Sequence, residues 1–351
     1  MDLDLLSISA FARSVGLAPS ALRFYDDCRV LLPARVDPVT GYRQYHPDQA
    51  GRARLLRGLR EAGVPLADVA VVLDGTPGEA RTVLAEHRER LGERAAAARA
   101  ALDAVLGALD GSDGSDGSGG EVGGDPAEEI RISGAEFAAA VRQVAPAVAR
   151  TAEHPELTRI LLDVDPAEVR LVATDRYRFA MRTLRTAGGG TPRRLLLAVD
   201  ELLELSRWAA RSHELVLTGG GLRAADGTAR PLPVRDGEYP DYRRMLDAFP
   251  EPAHRVLVDR LALRDALAEP VTVLSFAPDR LTAGAGELPA VSQGTPPPWR
   301  IAFDPEVLGP ALEAGIGPDV LLELVGPQHP VVLRSADQGS FTTLVMPVPV
   351  P

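Results

Sequence analysis

The sequence predicts a multidomain protein: an all-α winged helix-turn-helix unit with a long coiled-coil helix, then two α+β modules built on one plan. Three observations predict this. Residues 18–45 read as a short helix, a hydrophobic turn and a hairpin. Residues 84–109 place apolar side chains at alternating three- and four-residue spacing. Beyond a Gly/Ser/Asp-rich stretch, one order of strands and helices runs through twice. The resulting segments are 1–75, 76–109, 110–130, 131–250 and 251–351.

In the first segment Ser9 suits an N-cap, with a helix to Val15 and Gly16 just past its end. Pro19 suits the first position of the next helix, where a missing N–H costs nothing. Leu22 and Tyr25 turn one face inward, while Ser20 and Arg23 point elsewhere. Leu31, Leu32 and Pro33 end that helix, and Asp37-Pro38-Val39-Thr40-Gly41 has turn chemistry. A helix followed by a wing is a duplex-reading device, the helix entering a major groove and the wing holding phosphates. The candidate DNA-binding residues are Ser20, Arg23, Tyr25, Arg35, Tyr42 and Arg43. Pro47 opens a third helix through Glu61, stopped by Gly63. Its Arg52, Arg54, Arg57 and Arg60 are spread around it, which predicts mostly solvated arginines with one or two on phosphate. A short helix follows from Pro65 to Asp74.

Residues 78–109 predict one long helix whose seam is Leu84, His87, Leu91, Ala95, Ala98, Leu102, Val105 and Leu109. Leu84, Leu91, Ala98, Leu102 and Val105 are the candidate dimerisation residues, and His87 is expected to pack rather than to hold a metal. The stretch 110–126 is a flexible acidic linker whose ends lie about 25 Å apart as a coil, so no rigid lever passes through it.

LRFYDD, LLPAR, GYRQY and LRGLREAGVPLADV closely resemble, in that order, the DNA-binding domain of MerR-type transcription regulators over residues 5–75. The resemblance implies a homodimer paired through antiparallel long helices on a pseudo-palindromic double-stranded operator. It also implies promoter activation by DNA bending and untwisting, with RNA polymerase as a further partner.

From residue 130 the pattern changes to short strands with helices at 133–149 and 200–211, and a shorter echo follows residue 252. ISGAEFAAAVRQVAPAV, RLVATDRYRFAMRTL and EYPDYRRML resemble the middle domain of the bacterial replicative sliding clamp, the β subunit of DNA polymerase III. AFDPEVLGPAL, GPQHPVVLRSAD and LVMPV resemble its last domain, which makes both modules sliding-clamp-like (the processivity fold). In that family a partner peptide enters a pocket between these domains. Carried over position by position, its wall comprises Leu157, Thr174, Arg178, Phe179, Pro240, Arg244, Met245, Leu344, Val345 and Met346. Arg176 stands where the family has glycine and Tyr177 where it has histidine, so a bulky cation narrows or re-aims the slot. The competing reading makes these apolar residues simple domain core. The second module is clipped between LALRDAL and VTVLSF, which implies a shortened first helix. The helices that would line a ring's hole carry Arg142, Arg150, Arg207 and Arg211 in the first module, but only Arg264 in the second.

Composition narrows the remaining classes. The chain has 351 residues, 45% hydrophobic and 25% charged, with one cysteine, Cys28, and no lysine among its 38 basic residues. A single cysteine excludes an intramolecular disulfide and fits a reducing compartment. The all-arginine usage suggests a GC-rich bacterial genome. The absence of a long apolar run or signal-peptide pattern leads us to expect a cytoplasmic, nucleoid-associated protein with no membrane partner. Net charge is −11, yet residues 1–75 hold nine arginines against nine acids. DNA affinity must then come from a local patch. No histidine, carboxylate or cysteine spacing suits a metal, and no nucleophile has a spaced base. The expectation is therefore no enzyme activity, no cofactor and no metal. The function predicted is a dimeric, sequence-specific regulator whose clamp-fold half takes a small molecule or peptide. The alternative is a clamp-associated replication, repair or DNA-tethering factor.

Overall fold

Ser7 rather than Ser9 caps the first helix. Its hydroxyl accepts from the Ala10 N–H at 3.3 Å, so helix formation begins one residue after the cap, at Ile8. The structure is a computed structural model describing residues 5–38, 40–109, 129–151, 153–165, 168–186, 191–268, 270–335 and 337–351, with 94–109 described as backbone. The predicted linker, 110–130, falls almost wholly outside the described residues. The chain divides into two compact units, Met1–Ser118 and Gly119–Pro351.

The first unit runs β1 (Leu6–Ser7), α1 (Ile8–Val15), α2 (Pro19–Asp27), β2 (Arg35–Val36), β3 (Arg43–Tyr45), α3 (Ala50–Glu61), α4 (Leu66–Asp74) and α5 (Pro77–Leu109). Its three strands form a small sheet in the order β1-β3-β2. The β2–β3 pair is the predicted hairpin, and β1 adds a third strand that the sequence reading omitted, two residues being too short to show alternation. It matters for packing, because Leu6 pairs with Tyr45 and draws the wing onto the helices. Tyr45 is fully buried and stacks on Phe11 with ring centroids 4.7 Å apart. Leu22, Leu56 and Leu66 complete the buried core.

The arginines of α3 do not form a solvated set. Arg57 donates to the Val15 carbonyl at 2.8 Å, Arg60 to Val64 at 2.9 Å and Arg54 to Ser14 at 3.4 Å. Arg52 donates to Val30 O and forks onto Asp74 at 2.7 and 2.8 Å, which holds that carboxyl below its usual pKa. Each guanidinium satisfies carbonyls that helix or turn ends leave open. His87 is likewise turned inward. It is 5% exposed, and its Nε2 lies 3.0 Å from the Ala62 carbonyl; a carbonyl only accepts, so Nε2 carries the proton. That removes His87 from the seam and, with Arg90 bonded to Asp68 at 3.1 Å, seats α5 on its own domain. Leu84 and Leu91 remain exposed. Ala98, Leu102 and Val105 lie outside the described side chains.

The second unit opens with β4 (Ile130–Ser133), α6 (Gly134–Val144), β5 (Arg159–Asp165), β6 (Glu168–Thr174), β7 (Arg178–Arg185), β8 (Arg193–Ala198) and α7 (Val199–Ala209). The module closes with β9 (Glu214–Leu217), β10 (Gly221–Ala224), β11 (Ala229–Pro231), β12 (Val234–Arg235) and α8 (Tyr242–Asp247). Its repeat runs β13 (His254–Asp259), α9 (Arg260–Asp265), β14 (Thr272–Phe276), β15 (Arg280–Ala283), β16 (Gly286–Gln293), β17 (Ile301–Phe303), α10 (Pro305–Ala314), β18 (Asp319–Leu324), β19 (Val331–Arg334) and β20 (Phe341–Val345). The shortened helix is α9, six residues against eleven in α6. Gly134 begins α6 because a Cβ there would lie 2.3 Å from the carbonyls of Ala209 and Ser212, at the end of α7.

The two modules join edge to edge. β7 and β20 pair antiparallel from Phe341↔Arg182 to Val345↔Arg178, so one sheet of 13 strands passes through both. Two apolar cores lie between sheets and helices, one around Phe137, Leu162 and Leu202 and the other around Leu263, Phe303 and Leu322. A third, smaller core of Leu157, Leu161, Phe179, Tyr242 and Leu344 lies at the junction. Thr343 Oγ1 donates to Phe179 O at 2.8 Å, and Met346 N donates to Tyr177 O at 2.7 Å. The C-terminal strand is thereby fixed against the turn that precedes β7.

Candidate nucleic-acid interface and inter-module slot

Pro19 at the first position of α2 leaves Ser20 and Arg23 on its exposed side and buries Ala21, Leu22, Phe24 and Tyr25. Tyr25, 2% exposed, belongs to the core and cannot touch a duplex without leaving it. The wing presents Arg35 and Tyr42, the latter 71% exposed. Arg43 has another task. Its Nε bonds Asp26 at 2.6 Å and its Nη2 lies 3.6 Å from Asp27, tying β3 to the end of α2. The Asp26 hydrogen bond raises the Arg43 pKa, while burial pushes the Tyr45 phenol up to about 12. Arg43 therefore positions the wing instead of gripping phosphate. Among the described residues of this unit, the exposed arginines without a carboxylate or carbonyl partner are Arg13, Arg23, Arg29 and Arg35 before α5, and Arg81 and Arg88 on it. Arg13 and Arg29 escaped sequence reasoning, which has no means of removing the paired arginines from consideration.

The slot lies where β7, β20 and α8 meet. α8 is anchored by Tyr242, whose hydroxyl donates to the buried Asp163 carboxylate at 2.6 Å, with Arg243 on the same oxygen at 2.9 Å. Burial first, and then that carboxylate, raise the Tyr242 phenol. Asp241 Oδ1 caps α8 through Arg244 N at 3.3 Å. This anchoring brings Met245, 43% exposed, opposite Thr174, Phe179, Leu344 and Met346 around a cavity of about 70 Å³. Arg176, Tyr177, Arg178 and Pro330 complete the wall. A groove of about 520 Å³ continues past Tyr177 along Asp304, Val307 and Pro347–Pro349. Arg178, 8% exposed, is bonded to Asp175 at 2.8 Å and to the Glu306 carbonyl at 3.3 Å, so it staples the modules together.

The predicted wall needs correcting in four places. Leu157 and Val345 are core residues, 4% and 0% exposed, and neither lines the cavity. Pro240 and Arg244 are exposed on α8 or just before it but do not line it either. The core reading thus holds for part of the set only. Pro330, which does line it, carried no signal in the sequence. Among the described residues no group of three or more His, Cys, Asp or Glu side chains is placed to hold a metal ion.

A winged helix-turn-helix unit with an unpaired arginine on its second helix, in one chain with a two-module clamp fold and its inter-module slot, defines a two-part fusion protein. Comparisons identify both halves. Residues 6–76 match the MerR HTH family regulatory proteins, and residues 131–241 match the central domain of the DNA polymerase III beta subunit. The chain therefore carries a MerR-family HTH domain followed by a DNA polymerase III β clamp domain. It is 31% identical to the beta sliding clamp of Micrococcus luteus over 189 residues, 49% of this chain and 60% of that protein. It is 32% identical to the transcriptional regulator BrlR of Pseudomonas aeruginosa over 97 residues, 26% of this chain and 36% of that protein. The chain thus spans less than two thirds of these relatives. The crystal structure of the DNA polymerase sliding clamp from Pseudomonas aeruginosa superposes with a TM-score of 0.57 at 22% identity, covering 65% of this chain and 69% of that one. No described helix is long and apolar enough to cross a membrane.

Proposed function

We propose that this protein is a dimeric, sequence-specific transcription regulator of the MerR type, with its clamp-fold half as the receiving site for a peptide or small molecule. The observation that carries this reading is Arg23, exposed and unpaired on α2 beside a wing held by Arg43, Asp26 and Asp27. Leu84 and Leu91, exposed on α5, supply the start of a dimer seam. A regulator of this kind binds a pseudo-palindrome through two copies of α2 and works with RNA polymerase on the DNA it deforms. Selection of bound duplexes from a random library by the full chain tests it. An inverted repeat bound by a dimer is the expected product.

The second reading, a clamp-associated tethering or repair factor, draws on Arg142, Arg150, Arg207 and Arg211, all exposed on or next to α6 and α7. It predicts no motif, and binding that survives only on circular or end-blocked DNA. α9 and α10 oppose it, since Arg264 is paired to Asp265 at 2.6 Å and α10 carries Glu306 and Glu313.

Two further outcomes are expected. Met245→Asp puts a charge at the slot's exposed wall and should abolish ligand response while leaving operator affinity and Tm within error. If induction of a reporter is unchanged in that variant, the slot has no regulatory role. Arg29 follows α2 at φ 54°, a left-handed conformation that favours glycine. Arg29→Gly should therefore stabilise the first unit by about 0.5–1 kcal/mol. If Arg29 meets phosphate, the same variant lowers the salt slope of DNA binding by about 1.

A further inference from the structure

A separate cavity lies on the sheet of the first module, against the segment between β12 and α8. It measures about 310 Å³, is lined by Leu161, Arg194, Leu196, Gly237, Glu238 and Tyr239, and shares no lining residue with the slot or its groove. Its floor is apolar, since Leu161 on β5 and Leu196 on β8 are cross-strand partners and both are buried. The rim is held at both ends. Arg159 donates to the Asp236 carbonyl, and Arg194 Nη2 donates to the Pro240 carbonyl at 3.4 Å. Between them Tyr239 is buried in the junction core beside the two leucines. Gly237 allows the close approach: its φ is 149°, and a Cβ there would lie 3.0 Å from Leu196 Cδ1 and 3.2 Å from Arg159 Nη1.

Two charges border this apolar floor, and neither is compensated. The cross-strand partner of Arg194 is Asp163, and opposite charges so placed ordinarily pair. That carboxylate is already taken, accepting from the Tyr242 hydroxyl at 2.6 Å and from Arg243 Nη2 at 2.9 Å. Among the described residues no carboxylate lies within salt-bridge distance of Arg194, and its long bond to Pro240 uses one of five guanidinium donors. Glu238 stands exposed on the rim and likewise has no ion-pair or hydrogen-bond partner among the described residues. The two line one cavity without reaching each other. A donor-rich cation and an acceptor-only anion held apart in this way leave room between them for a molecule carrying both complementary charges.

We infer that this cavity is a binding site for a free α-amino acid with an apolar side chain. The carboxylate of the amino acid accepts from Arg194, its ammonium group donates to Glu238, and its side chain covers Leu161 and Leu196. A volume of about 310 Å³ stands at the small end of ligand pockets, which suits a molecule of that size. Both charged contacts are exposed, so each adds at most about fivefold in affinity, and the apolar floor supplies the remainder.

The test is a saturation-transfer NMR titration of the full chain with three probes: L-leucine, L-leucinamide, which lacks the carboxylate, and N-acetyl-L-leucine, which lacks the ammonium group. Leucine should bind with a dissociation constant of about 1 mM or below. In low salt each of the other two should bind about fivefold more weakly, a gap that closes at high ionic strength. Arg194→Gln should bring leucine down to the affinity of leucinamide, and Glu238→Gln should bring it down to that of N-acetyl-leucine. Both side chains are exposed, so each variant should keep the Tm of the unaltered chain, and the three-probe comparison in that chain stands without them. Met245→Asp, in the slot, should change none of these affinities. No leucine binding at about 10 mM, equal affinity for all three probes, or a preference that survives its matching substitution would overturn the site. Loss of leucine binding in Met245→Asp would place the amino acid in the slot and overturn it equally.

Discussion

Arg23→Ala should raise the dissociation constant for the selected operator at least a hundredfold while changing affinity for unrelated duplex only slightly. The reasoning starts from charge. Residues 1–75 carry no net charge, so no broad field holds the unit on DNA and discrimination rests on few groups. α2 contains one arginine, and it stands on the exposed side. A bidentate arginine on a base edge is worth about 1–3 kcal/mol of discrimination, and a dimer loses two of them together. Arg43→Ala makes the contrast. Releasing Asp26 and Asp27 frees the wing, so affinity should fall evenly across sequences with specificity retained. Titration of operator and scrambled duplex at two salt concentrations separates the two patterns. An unchanged ratio of specific to non-specific affinity in Arg23→Ala would remove α2 as the reading helix.

Tyr45→Ala should destabilise the first unit by about 3–5 kcal/mol, the cost of deleting a large buried aromatic and leaving its cavity. The ring is fully buried, stacks on Phe11 and sits on the strand that joins β1 to β2. For a domain of this size that is most of its stability. Calorimetry should show the transition of the first unit shifted or lost, and that of the clamp-fold unit in place. A Tm change of only a degree or two would mean that the wing is not part of the core. Tyr45→Phe serves as the control, since the hydroxyl's contact with Leu22 O is long, at 3.4 Å, and its loss should be mild.

Local sequence determined the kinds of element and most of their ends. Pro19, Gly16 and Gly63 mark backbone states that few other residues adopt, and they stand where the helices start or stop. The shortened α9 was legible because a missing stretch of chain cannot form helix. The motif strings LRFYDD, GYRQY and VATD carried the two families, since each encodes a local geometry as well as a composition. The first cap was misplaced by two residues, because Ser7 and Ser9 are equivalent caps until the backbone conformation selects one.

What the tertiary structure alone decided is the assignment of each side chain to a partner. Arginines 43, 52 and 57 look alike in sequence to Arg23, yet each finds a carboxylate or an open carbonyl from another element, and Arg23 does not. His87 shares the seam's spacing but faces Ala62. Leu157, Val345 and Leu344 are equally apolar, and only the crossing of β7, β20 and α8 leaves Leu344 facing a cavity. The physical reason is common to all of these. Periodicity and turn chemistry act between neighbours along the chain, whereas ion pairing, carbonyl capping and burial depend on contacts between residues far apart in sequence, which exist only once the elements have packed.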